Sequence, residues 1–305
     1  MDNGFCSHRI SPLARVANAG ASWRFGATLL AVASLGMGGC ASLVSNAANT
    51  FGENLSGAIL NQDDPELVRA GMPSYILLLD SFLQGERDNP AMLSAAASMY
   101  ASYGAVFAND EIRSRRLTTR ARDYGLEAMC LAYTDACGWR QMRYDDFVAS
   151  LQGVDVGQAG LLYSYGFATL TYLRAHSDDW NTLAELPQAE ALLRRYLELA
   201  GTGSEPAAYT YLGIILTLRP PALGGKPEEA REYFERAITL TDGRDLSVKV
   251  EFAKGYARLL YEQELHDRLL REVLAADPYA DGYTLTNVMA RDEAARLLAE
   301  SNEYF

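Results

Sequence analysis

Cys40 is the residue in this chain best placed to carry chemistry. It follows the apolar run Phe25 to Gly39 directly, with the small residues Gly38 and Gly39 before it. Arg9, Arg15 and Arg24, against the single acid Asp2, precede the run, giving the charged, apolar, small order that export machinery reads. The run is too short to cross a bilayer as a helix. The arrangement predicts a signal peptide over residues 1–39 and thioether lipidation of Cys40 after cleavage. Met37 stands where leucine is usual three residues before such a cysteine, and Leu35 lies further back. An ordinary export signal with Cys40 left as a thiol is the alternative. The leader before the apolar run is long enough that translation could start after Met1.

Two further cysteines survive cleavage, Cys130 and Cys137, and an oxidising compartment makes their pairing the default. Seven residues along an unbroken helix span roughly 10.5 Å, beyond the roughly 7 Å Cα separation a disulfide bridges. The expected bridge therefore requires the helix to end between them, where Thr134, Asp135 and Gly138 lie; two unpaired thiols are the other reading.

Catalytic patterns are sparse. His176 and His266 are the histidines of the mature chain, and no G-x-S-x-G, H-E-x-x-H or P-loop motif occurs. His176-Ser177-Asp178 has the residue types to share a metal ion but reads as a helix-end cap, and His266-Asp267-Arg268 reads as the polar start of a helix. Glu300-Ser301 resembles the pair that opens a lysozyme-like domain, but four residues follow it. The expectation is a non-enzyme without cofactor or metal.

Charge narrows the partners. The chain carries −12, and because the leader's three arginines and one aspartate contribute +2, the part from Cys40 onward carries −14. Such a chain has no basic stripe for phosphates, which argues against nucleic acid. A double-acyl or triple-acyl Cys40 would hold it firmly to a membrane. Ala41 and Ser42 lack the aspartate that retains lipoproteins in the inner membrane, so the periplasmic face of the outer membrane is the expected location.

The elements that must position these residues are helices. Apolar residues recur at helical spacing and almost nowhere with period two. Prolines mark starts: Pro73 before Tyr75–Leu83, Asn89-Pro90 before Ala91–Phe107, Pro187 before Ala189–Ala200, and Pro227 before Glu228–Leu240. Gly201, Gly243 and Asp277-Pro278 mark stops, and Ala207–Leu218 reads as a buried helix too short to span a membrane.

The helices come in pairs with a shared code. Ala230, Phe234 and Ala237 match the A-x₃-F-x₂-A signature of a tetratricopeptide second helix, and Tyr209, Leu212 and Gly213 match the W-x₂-L-G signature of a first. Weaker copies are Gly166 with Ala189, Leu193 and Tyr196; Gly104 with Ala121, Gly125 and Ala128; and a last one closed by Val273 and Pro278. A pair alone leaves an apolar face uncovered, so stacking makes the core. The fold expected is all-α, with tetratricopeptide-like hairpins in a short distorted superhelix over residues 65–305. Residues 40–64 form a lipidated tether and short helix, anchored by Phe51, Leu55, Ile59 and Leu60.

Two surfaces are candidates for binding. Tyr163, Tyr165, Tyr172, Tyr209 and Tyr211 cluster in the central pairs; Tyr165 and Tyr172, seven apart, share a face and either line a groove for an apolar ligand or pack the repeat core. In the irregular loop Arg219-Pro220-Pro221-Ala222-Leu223-Gly224-Gly225, Leu223 is an apolar side chain on a turn that a partner could cover, while Gly224 and Gly225 equally serve only to turn the chain into Pro227.

Together the Cys40 signal, the Cys130/Cys137 pair, Leu162-Tyr163-Ser164-Tyr165-Gly166, the Pro221-Ala222-Leu223-Gly224-Gly225-Lys226-Pro227 loop and His266-Asp267-Arg268-Leu269-Leu270 make the chain resemble the T-component lipoproteins of tripartite ATP-independent periplasmic (TRAP) transporters. The similarity covers most of residues 40–305 and is most specific at the loop and the helix after it. It implies a tethered periplasmic protein that partners a substrate-binding P-component, helps move an apolar organic acid or similar ligand, and forms a homo-oligomer, a trimer in the simplest case, around a pore. A general tetratricopeptide scaffold lipoprotein for envelope assembly is the competing function.

Overall fold

A computed structural model of the chain describes residues 54–305 except 86 and 109. Cys40, the signal segment, Phe51 and most of the tether lie outside the described residues. The contacts reported below lie within Gly57–Phe305, which forms one unit. Every regular element among the described residues is helical, and no helix there is long and apolar enough to cross a membrane.

After a helix at residues 54–60, α1 spans Pro65–Gly85. The sequence signal at Pro73 is misleading here, because Pro73 lies inside α1. The start is set earlier by Asp64, whose carboxylate accepts from the Glu66 and Leu67 amides ahead of the helix. Pro65 occupies the first turn, where its missing N–H costs nothing. Burial of Val68, Met72, Ile76 and Leu83 holds α1 through the internal proline.

The hairpins follow. α2 (Pro90–Val106) is capped by the Asn89 side chain and packs along α3 (Glu111–Ala132), itself capped by Asp110. α3 ends at Ala132, a 3₁₀ turn covers Thr134–Gln141, and the break brings Cys130 and Cys137 to a Cα separation of 4.5 Å, joined by a disulfide. α4 (Tyr144–Leu151) leads to α5 (Ala159–Ala175), which packs on α2, α3 and α6 (Leu186–Ala200). α7 (Pro206–Thr217) pairs with α8 (Pro227–Leu240). α9 (Leu246–Phe252), continued by a π-helical turn at Ala253–Ala257, packs on α10 (Gln263–Ala275) and α11 (Thr284–Ala299).

The repeated glycine code has a direct spatial meaning. A β-carbon added at Gly104 would fall 2.9 Å from Leu117, at Gly166 2.8 Å from Leu193, and at Gly213 2.7 Å from Phe234. In each hairpin the second helix therefore drives a large side chain against the bare backbone of the first. Phe234 is fully buried at the centre of the C-terminal core, with Ala230 and Ala237 beside it.

The two ends of the unit meet. Asn61 donates to the Asp281 carboxylate at 2.8 Å and accepts from the Gly282 amide at 2.6 Å, the Tyr279 hydroxyl donates to Asp63 at 3.3 Å, and Leu285 joins the N-terminal core. α11 packs on α1. The stack of hairpins thus closes on itself, with Asn61 and Asp63 beside the C-terminal helices.

Candidate functional site

The central tyrosines separate into two environments. Tyr165 faces the core: it is 3% exposed, stacks on Trp139 at 5.9 Å, and lies against Gly125 of α3. Tyr172 turns toward Arg122, whose guanidinium sits 4.4 Å from the ring centre, and its ring meets His176 at 4.1 Å. Arg122 approaches both Tyr165 and Tyr172, so the two share a side of α5 as the i, i+7 spacing predicts, with Tyr165 packed into the core. Tyr209 packs toward Tyr233, ring centres 6.2 Å apart, at the edge of the C-terminal core.

A different set comes together. Tyr163 and Phe167, one turn apart on α5, both stack on Tyr211 of α7, at 6.1 and 5.0 Å with interplanar angles of 19° and 15°, and Tyr196 of α6 approaches Tyr163 at 4.9 Å. All but Tyr196 are half-buried. Burial pushes the Tyr163 hydroxyl well above its ordinary range and Tyr211 up to about 12, with the carboxylates of Asp245, Glu205 and Glu251 adding to the effect at Tyr211. The patch is a set of stacked rings packed against the hydrophobic cores, in a negative field. Phe167 was absent from the sequence candidates, although its i, i+4 spacing from Tyr163 is the signal that pairs them.

The loop after α7 is rigidly built. The Leu223, Gly224 and Gly225 amides donate to the carbonyls of Pro220, Pro221 and Pro220, at 2.9, 3.0 and 3.1 Å, and the Lys226 amide reaches back to the Leu216 carbonyl at 2.9 Å, satisfying the end of α7. Gly224 has φ +89°, open chiefly to glycine, and a β-carbon at Gly225 would overlap the Arg219 carbonyl oxygen. Leu223 is left 51% exposed. Both glycines are thus required by the turn, and the turn presents Leu223 to solvent.

Beside the loop, Glu190 of α6 gathers cations: Arg194 and Lys226 each lie 2.8 Å from its Oε1, and Arg194 also pairs with Glu229 at 2.5 Å. Burial raises the Glu190 carboxyl, but the Lys226 and Arg194 hydrogen bonds outweigh it and hold it below its ordinary value.

The two histidines lie in separate settings. The His176 ring nitrogen Nδ1 lies 2.9 Å from the Tyr172 carbonyl at the end of α5. His266 stands in the first turn of α10, as its polar neighbours predict, but is fully buried, its Nδ1 3.0 Å from Asp267 and its ring against Phe305. Asp267 also accepts from Ser301 at 2.6 Å and pairs with Arg271. Among the described residues no group of histidine, cysteine and acidic side chains is arranged to hold a metal ion.

Comparison with known proteins matches the chain to a family model described as TRAP transporter T-component over residues 61–305, which takes in every helix from α1 to α11. No curated protein matches it.

Proposed function

We propose a specific role for this chain, which belongs to the TRAP transporter T-component family: it is a periplasmic lipoprotein, moored through acylated Cys40 to the outer membrane, that binds the substrate-binding P-component and helps pass an apolar organic acid. The observation that carries the reading is the family match across the whole helical unit. The stacked Tyr163–Tyr211–Phe167 platform supports the ligand half of it, since three partly buried rings on facing helices offer a flat apolar surface whose exposed part a ligand's hydrocarbon can cover. Self-association into a homo-oligomer belongs to the same reading.

Chemistry has no part in the role. The side chains that face one another here stack, cap or neutralise, and what they supply is surface. Co-purification from the native envelope, with mass spectrometry of both proteins and extracted small molecules, tests the proposal. A TRAP substrate-binding protein and an organic acid in the same preparation support it; their consistent absence overturns it. Radiolabelled palmitate with Cys40→Ala tests the anchor, and unchanged labelling removes that element.

A further inference from the structure

Two adjoining clefts of ≈ 450 and ≈ 320 Å³ lie between α4, α6 and the loop before α8, and they share Tyr144, Glu190 and Lys226. Most charges lining them are spent. Arg194 and Lys226 are held by Glu190, and Arg195 by Glu198 and the carbonyls of Leu151, Gln152 and Val154. Arg219 is the exception. Among the described residues no carboxylate lies within ion-pair distance of it, and its buried Nε has no hydrogen-bond partner. Its guanidinium sits under Gly224, 3.9 Å from where a β-carbon there would be. A fixed cation without a counter-charge is conspicuous in a chain of net charge −12.

The surroundings of Arg219 indicate what complements it. Leu223 and Tyr144, 51% and 46% exposed, are further exposed side chains of the loop and of the cleft wall, and Gln188 Oε1 in the second cleft is buried without a donor. Small-molecule sites enclose roughly 70–90% of their ligand in mostly apolar walls. These clefts are open, with polar and apolar walls in similar measure, and the Tyr144 and Arg219 that line the second are residue types enriched at the anchors of protein interfaces. The rigid Pro220–Gly225 turn lowers the ordering cost of docking.

We propose that this cleft receives an aspartate or glutamate side chain from an extended segment of a partner protein, which pairs with Arg219 while an adjacent apolar residue covers Leu223 and Tyr144. The inference rests on the transport reading only for the partner's identity.

The test is photo-crosslinking in the native envelope, with p-benzoylphenylalanine incorporated at position 223 of the full chain. One protein adduct is expected, its crosslinked peptide carrying an acidic residue next to the attachment point. Arg219→Glu should lower its yield about tenfold or more, Arg219→Gln less, and the exposed Arg236→Glu on α8 should leave it unchanged. Replacing the mapped acid by arginine should restore the adduct to Arg219→Glu, which a merely structural role for Arg219 does not predict. If Arg219→Glu fails to fold by circular dichroism, Arg219→Gln decides alone. No adduct, an adduct indifferent to Arg219, or a small carboxylic acid bound to purified protein and lost in Arg219→Gln without any protein adduct overturns the proposal. An Arg219-dependent adduct with a protein unrelated to TRAP transport upholds the docking site and sinks the transport reading. Co-purification of the P-component with an Arg219-indifferent adduct does the reverse.

Discussion

The ring of Phe234 closes over the α-carbon of Gly213, leaving no room for even a methyl group: added there, it would lie 2.7 to 2.9 Å from three ring carbons. The same relation holds at Gly166 with Leu193 and, less severely, at Gly104 with Leu117. Hairpin after hairpin, helix spacing is set by a large side chain on one helix and the absence of one on the other.

Gly213→Ala is therefore expected to destabilise the protein by about 1–3 kcal/mol through overpacking. Phe234→Ala should cost about 3–5 kcal/mol through the cavity it leaves. Gly213→Ala combined with Phe234→Leu should recover part of the single-site loss. Urea unfolding of the three variants measures this, and additive losses in the double variant would separate the two residues.

Reduction of the Cys130–Cys137 bridge, or Cys130→Ser with Cys137→Ser, should lower stability by about 2.5 kcal/mol on the chain-entropy estimate for so short a loop. The loss should fall first on the packing of Trp139, which stacks on Tyr165 and meets Phe147 edge-on at 5.5 Å. Near-ultraviolet circular dichroism with and without reductant reads both.

The Glu190 carboxylate gives a signed pH dependence. Its folded value is depressed, so its stabilising contribution is present above the ordinary value of 4.5 and is lost as pH falls through the lower folded value. Glu190→Gln should flatten stability against pH in that acid window and leave it little changed in slope near neutrality. Thermal melts from neutral to acid pH test the difference.

At the alkaline end the sign reverses. Tyr211 is raised from 10.0 to about 12, so the stability it contributes is intact below pH 10.0 and drains away as pH rises toward about 12. Tyr211→Phe should weaken that alkaline loss and keep the stack with Phe167. Tyrosinate absorbance during a pH titration follows the group itself.

Much of this was readable from the chain. The A-x₃-F-x₂-A spacing and the glycines named the hairpins because close approach leaves few residue choices on either side. Asn89-Pro90 marked α2 because cap and first turn are local chemistry. The start of α1 was not read, since Asp64-Pro65 and Pro73 are both plausible starts and only the packed row Val68, Met72, Ile76 decides that the helix runs through the second. The tyrosines could be placed on their helices, but their ring partners could not be named. Which side of α5 meets Trp139 and which meets Tyr211 depends on elements far apart in sequence. Arg219 was passed over for the same reason: its lack of a partner is a property of the assembled cleft, where Glu190 is taken by Arg194 and Lys226.

The central claim, that this surface exists to engage a transporter's binding protein, is tested most directly by titrating the purified full-length chain with the purified substrate-binding protein of its TRAP system and following complex formation by biolayer interferometry. The account predicts saturable binding with a Kd in the range of about 0.1 to 10 micromolar, weakened with rising salt. Absence of binding at roughly 100 micromolar binding protein, with and without its organic acid, would contradict it.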